Sequence, residues 1–179
     1  APDIIDKGFS GTFFVIKFRR KYFGYYLSVV DWSQDEKGNL NPEYNIRIAV
    51  SSDALNWRRI DETAIELEES EAGISAMTII KRKGVLHAWF SVRGSKNFRN
   101  SSSGGYRIVH AVSHDGLTWK RDDKFGLYPG FSPGAQSMVA YPSVYTVKGN
   151  LVLLFNGDGF GENGIFWCWL PLTKLDLIN

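Results

Sequence analysis

The chain has 179 residues, a length that ordinarily gives one domain with room for a real core. Its 21 basic and 19 acidic side chains leave a net charge of +2, too balanced for the footprint of a nucleic-acid-binding protein. No apolar run approaches the ~18 residues of a membrane-spanning helix, and one cysteine, Cys168, leaves no disulfide framework within the chain.

Aromatic residues are abundant, as half-buried pleated surfaces favour, and helical periodicity is nearly absent. Ala1-Pro2-Asp3 shows neither a charged n-region nor an apolar h-region, so a cytoplasmic location is expected over a secreted one. A first strand, A, is expected over Phe13–Lys17, ended by the basic turn Arg19–Lys21. Strand B follows over Tyr22–Val30, then a long loop, then strand C from Tyr44. In strand C, Ile46, Ile48 and Val50 alternate with Arg47 and Ala49. The acidic stretch Glu62–Glu71 is a weak helix candidate, read instead as strand D and a solvated linker.

The same order then returns. Tyr44–Trp57 aligns without a gap on Tyr106–Trp119 at an offset of 62, with eight of fourteen positions identical. Met77–Lys81 and Pro142–Thr146 repeat the first strand A, each followed by a basic turn, Lys81–Gly84 and Lys148–Asn150. Ala88–Ser91 and Leu153–Asn156 repeat strand B, and the third strand C begins near Gly164. Such a period means one supersecondary unit stacked several times. The expectation is a single all-β domain over residues 1–179, a β-propeller of four-stranded antiparallel blades with about three blades present. The repeats run approximately over residues 6–68, 71–132 and 135–179.

Up-and-down topology sorts the faces. Strand A starts and the loops after strand B share one face, called the top; the turns between strands C and D lie on the bottom. Those bottom turns carry Ser-x-Asp followed by Trp, in Ser51–Trp57 and Ser113–Trp119, and an Asp at that place locks a turn through backbone amides. Ligand chemistry is therefore expected on top, where long loops sit on a rigid repeat. In the loop after the second strand B, Arg93, Lys96 and Arg99 offer donors for a carboxylate or phosphate, or are simply solvated. The third loop, Asn156–Glu162, is glycine-rich but follows a strand with no helix after it, so it is no dinucleotide cradle. Its Asn156, Asp158 and Glu162 are read as hydrogen-bonding groups for a sugar. Trp32, Tyr141 and Phe160 are candidates for stacking on sugar rings, or for packing. His87, His110 and His114 lack metal-ligand spacing, no nucleophile elbow occurs, and no cofactor or metal is expected.

Three repeats of this kind, with the turn box and the segment Phe155–Gly161, resemble the arabinanase-like five-bladed β-propellers. That superfamily contains glycoside hydrolase families 43 and 32. The resemblance is closest to uncharacterised propeller proteins of bacterial surface-polysaccharide biosynthesis, which show a Ser-Tyr-Arg-Gly segment matched here by Ser91–Gly94. It implies a carbohydrate-binding or carbohydrate-processing propeller, with Arg93, Tyr141, Asn156, Asp158, Glu162 and Trp32 on the ligand. Departures point to the alternative, a non-catalytic sugar-recognition or scaffold module. Ala135–Met138 stands where such proteins carry acids, and Ser75–Met77 where they carry Ser-Arg-Pro. Hydrolysis ordinarily uses two carboxylates about 5–10 Å apart, and the top face offers Asp6, Glu71, Asp158 and Glu162. The partner implied is a carbohydrate, an anionic one if the loop cations face it. Because propellers typically close with four to eight blades, either copies associate as a homo-oligomer or further N-terminal blades exist.

Overall fold

The computed structural model describes residues 8–35, 38–96, 98 and 104–177; Asp6 and Arg99 lie outside them. Strands β1 (Ser10–Phe18), β2 (Lys21–Gln34), β3 (Leu40–Ser51) and β4 (Arg58–Thr63) form the first blade. Strands β5 (Glu71–Arg82), β6 (Val85–Gly94), β7 (Arg107–Ser113) and the short β8 (Lys120–Arg121) form the second. The third holds β9 (Ala140–Val147), β10 (Asn150–Asn156) and β11 (Ile165–Pro171), after which the chain turns through Leu172–Leu177. The expected partial propeller is what the chain forms. Strand pairing within each blade is antiparallel, and one parallel bridge, Tyr44 to Gly73, joins the first two blades. The acidic stretch after β4 is a linker, not a helix, and it is less solvated than its charges suggest because Ala64 and Ile65 are buried.

Local chemistry explains these elements. The A–B hairpins close on Arg19-Arg20, Lys83-Gly84 and Lys148-Gly149, all with positive φ, the backbone twist that two-residue hairpins favour. Each inner strand is bulged, at Thr12, Ala76 and Tyr141, and each of these non-glycine residues is left-handed, with φ of 37°, 51° and 55°. A bulge of this kind re-aims one side chain per strand. Below, the Asp53 and Asp115 carboxylates lock the bottom turns. Asp115 accepts from the Leu117 and Thr118 amides at 2.8 Å, and Asp53 accepts from those of Leu55 and Asn56 at 2.9 and 2.8 Å. The second turn also ties the blades: Tyr25 donates to the Gly116 carbonyl at 2.7 Å, and its ring meets Trp119 edge-on. Gly116 has φ of 81°, and a Cβ there would meet the Phe23 ring at 3.0 Å, so both backbone and space call for glycine.

Apolar side chains fill the two junctions. Phe23, Tyr25, Leu27, Ile46 and Ile48 of the first blade meet Leu86, Ala88, Phe90, Val109 and Ala111 of the second. Trp89 and Ile108, on the other side of the second blade, meet Val144, Leu151, Leu153 and Phe155 of the third. The same side holds a buried histidine pair. His87 Nδ1 and His110 Nε2 are 3.3 Å apart, and His110 Nδ1 lies 3.2 Å from the Asp122 carbonyl. The carbonyl requires a proton on His110 Nδ1, which leaves Nε2 to accept from His87 in a neutral pair. Burial pushes both imidazoles down to about 4. Because the folded values lie below the unfolded one of ~6.5, the unfolded chain binds more protons between these limits. The stability this pair supplies is present above pH ~6.5 and is lost as pH falls toward 4. The melting temperature should fall by about 5 °C or more between pH 7 and pH 5. In a His87→Asn/His110→Asn double variant, scanning calorimetry should show a clearly shallower dependence.

Candidate functional site

At the top of the junction between the second and third blades lies an aromatic cluster. Tyr141, at the bulge of β9, and Phe160, in the turn after β10, have ring centroids 6.0 Å apart, and each is 38% exposed. Both rings rest on buried Tyr106, at 6.1 and 5.5 Å, and Tyr106 meets buried Phe98 edge-on. Both exposed residues are backbone outliers, Tyr141 with φ of 55° and Phe160 with φ of 57°. An aromatic residue in the left-handed region costs on the order of 1–3 kcal/mol and persists only where its surroundings over-determine it.

What over-determines Phe160 is the glycine-rich loop. Asp158 turns its carboxylate inward onto the segment before β9, accepting from the amides of Gln136, Ser137 and Met138 and from the Ser137 hydroxyl at 2.7–3.0 Å. Burial raises the carboxyl, but these four hydrogen bonds outweigh it and bring the group down to about 2. The Asp158 amide in turn donates to the Gly134 carbonyl at 2.7 Å, and a Cβ at Gly157 would meet that same oxygen at 2.0 Å. Asn156 donates to the Phe160 carbonyl at 2.8 Å. The loop thus grips its own neighbour and presents Phe160 outward. Tyr141 is fixed from below, where its amide donates to Ser91 Oγ at 2.7 Å.

Arg93 takes a different place from the one expected. It is 1% exposed, its Nε donating to Tyr44 Oη at 2.9 Å, Nη1 to the Gly94 carbonyl at 3.0 Å and Nη2 to the Pro42 carbonyl. The guanidinium also lies over the rings of Tyr44 and Phe98, at 4.8 and 4.1 Å. An anionic ligand finds no open fork there, so the expectation that Arg93 grips one is corrected. Arg93 is a bolt between blades. Tyr44 Oη carries the bolt onward to Tyr106 Oη at 2.6 Å, and burial beside Tyr44 pushes the Tyr106 phenol up.

The other expected site residues divide. Tyr141 and Phe160 come together as an exposed pair. Asn156 and Asp158 lie beside them, half-buried, with Asn156 Nδ2 and the Asp158 carboxylate engaged in holding the loop. Glu162 is exposed and closes the same loop, its amide 3.3 Å from the Asp158 carbonyl. Trp32 sits on β2 in the first blade, its ring beside Gly8 and 41% exposed, outside this cluster. Glu71 is buried, bound by Arg107 and by both terminal nitrogens of Arg121 at 2.8–2.9 Å. Burial raises its carboxyl, and the Arg121 and Glu68-amide hydrogen bonds with the two positive charges bring it below the ordinary value. Among the described residues no cluster of three or more His, Cys, Asp or Glu is placed to hold a metal ion.

Tyr44, Tyr106 and Phe98 were not among the expected site residues. Tyr44 and Tyr106 stood out only as the matching first residues of the 62-residue repeat. That match was the signal, because it marks the two tyrosines as holding equivalent places in adjacent blades.

Comparison with known proteins defines the class. No protein-family model matches the sequence. Two uncharacterised proteins, from the CDC 1551 / Oshkosh and H37Rv strains of Mycobacterium tuberculosis, are each 30% identical over 147 residues, 80% of this chain. The chain spans 44% of the length of those relatives. A family 117 glycoside hydrolase from Zobellia galactanivorans superposes with a TM-score of 0.66 at 15% identity, covering 87% of this chain and 49% of that one. The family 32 β-fructofuranosidase of Bombyx mori gives 0.61 at 14% identity, over 89% and 33% of the two chains. A family 43 β-xylosidase/α-arabinofuranosidase from a compost metagenome, solved with xylotriose, gives 0.57 at 14% identity, over 82% and 42%. The fold is that of the β-propeller glycoside hydrolases, and this chain holds about three of its blades.

Proposed function

We propose that this chain binds a carbohydrate on its top face, stacking a sugar ring on Tyr141 and Phe160. The observation that carries this is the pair itself: two exposed aromatic rings, each held at a costly left-handed backbone, over a buried tyrosine. Tyr141 shares its left-handed bulge with Thr12 and Ala76 of the other blades, so the strain particular to this place is that of Phe160. The aromatic faces suit the apolar C–H faces of a pyranose, and Glu162 beside them is available to accept from sugar hydroxyls. Proteins sharing the fold were solved with saccharides, sucrose and xylotriose among them.

Within these blades, recognition without hydrolysis is the better reading. Of the acids considered that lie among the described residues, Glu71 is enclosed by two arginines and Asp158 is committed to four hydrogen bonds, which leaves exposed Glu162 without a second free carboxylate among them. The resemblance to surface-polysaccharide propellers makes bacterial surface glycans the first ligands to screen. A glycan array identifies a ligand, and calorimetric titration measures it. Phe160→Gly relieves the left-handed strain as it removes the ring, so stability should hold while affinity falls about tenfold or more, at 1.4 kcal/mol per decade. Tyr141→Gly should behave alike. Turnover of aryl glycosides by the wild-type chain would replace this reading with a hydrolytic one. Unchanged affinity in both variants would move the site elsewhere.

A further inference from the structure

The bottom face carries cations and leucines that neither the turn locks nor the sugar site uses. Strand pairing sets the A–B hairpins beside the C–D turns. Tyr22, next to the first hairpin, pairs with Ser51, and Leu86, next to the second, pairs with Ser113. The third hairpin joins the same face, where the Leu172 amide donates to the Gly149 carbonyl and Asp176 pairs with Arg82 and Lys83. Every hairpin is basic: Arg19, Arg20, Lys21, Lys83, Lys148 and, beside the third, Lys174 are exposed. The acids of these hairpins and turns are engaged. Asp53 and Asp115 hold backbone amides, and Asp176 holds Arg82 and Lys83. Arg20, Lys21, Lys148 and Lys174 make no ion pair among the described residues. One face is therefore positive in a chain whose net charge is only +2.

Leucines stand at the tips of both locked turns. Leu55 is 83% exposed and Leu117 37%, each two residues after the Asp that locks its turn. A single exposed leucine is ordinary. The same residue at equivalent tips, on the face that carries the basic hairpins, calls for a reason.

We propose that the bottom face docks on an anionic lipid bilayer, its hairpin cations on the headgroups and Leu55 and Leu117 in the acyl boundary. Each Lys or Arg near an anionic surface strengthens binding about fivefold, and a leucine side chain gains by leaving water there. A soluble polyanion would satisfy the cations but offers the leucines no apolar phase, which decides for the membrane. Glu62, Glu66 and Glu68 line the flank of the second turn beside Leu117, so Leu55 is the stronger anchor. Blades pack side by side around an axis, so the face across their ends is not one that a neighbouring blade covers. Docking by this face leaves the top open, and it does not depend on what Tyr141 and Phe160 bind.

Flotation of the 179-residue chain with vesicles tests the docking. Vesicles of phosphatidylcholine and phosphatidylglycerol in equal parts should carry the chain, pure phosphatidylcholine vesicles should not, and high salt should weaken the binding. Arg20→Glu/Lys21→Glu should lower the partition coefficient at least about tenfold. Leu55→Ser should lower it about fivefold. Both variants should keep the wild-type melting temperature, since the altered side chains are exposed. The proposal is overturned if anionic vesicles do not carry the wild type, or if the double variant binds them equally well. It is also overturned if Leu55→Ser binds like the wild type while soluble dextran sulfate captures the chain as tightly, which would identify a polyanion as the partner.

Discussion

Replacing Arg93 by Ala should lower the unfolding free energy by on the order of 3–5 kcal/mol, the sum of a core cavity and lost polar partners. The side chain is buried and donates to Tyr44 Oη and to the Pro42 and Gly94 carbonyls, while its planar face fills the space between the Tyr44 and Phe98 rings. Truncation strips three oxygens of their donors and leaves two rings without a neighbour. A lysine at this position would keep the charge but not the fork or the stacking, so Arg93→Lys should recover less than half of the loss. Thermal and urea unfolding measure both variants. A change below about 1 kcal/mol for Arg93→Ala, the range of an ordinary surface substitution, would refute the bolt.

The second large effect is expected at Glu71. Glu71→Gln leaves Arg107 and Arg121 facing each other across a buried position, with the exposed Glu68 carboxylate, 3.2 Å from Arg121, as the remaining counter-charge. Breaking a fully buried ion pair from one side costs about 3–5 kcal/mol. Arg107 and Arg121 remain 22% and 14% exposed, and this partial hydration brings the expectation to about 2–3 kcal/mol. The pH dependence has a definite sign. The folded carboxyl sits below its ordinary value, so its contribution is complete above that value and is lost as pH falls through the folded one. Wild type and Glu71→Gln should therefore differ most near neutrality and converge in acid. Denaturant midpoints across that range test it. A constant difference down to low pH would mean that the carboxylate's charge plays no part.

Much of the architecture was legible because it depends on local chemistry repeated in order. The match of Tyr44–Trp57 with Tyr106–Trp119 identified one blade unit, and the basic turns at Arg19, Lys83 and Lys148 marked the hairpins. Asp53 and Asp115 lock their turns through amides two and three residues on, a contact that sequence spacing alone determines. The top face was legible as a place but not as a set of contacts. Arg93 looked like an open cation because two of its partners, Tyr44 and Pro42, come from another blade. Asp158 looked like a ligand group because the amides it binds lie 20–22 residues upstream. Backbone strain at Tyr141 and Phe160 leaves no trace in residue type, since left-handed positions ordinarily call for Gly, Asn or Asp.

The central claim is that ligand binding belongs to the top face and turn locking to the bottom. The most direct measurement is calorimetric titration of one array-identified glycan into two variants. Phe160→Gly should lose at least about tenfold in affinity with its melting temperature preserved. Asp115→Ala should lose roughly 1–2 kcal/mol of stability with its affinity unchanged. The reverse pattern, affinity lost in Asp115→Ala and kept in Phe160→Gly, would contradict the assignment of the faces.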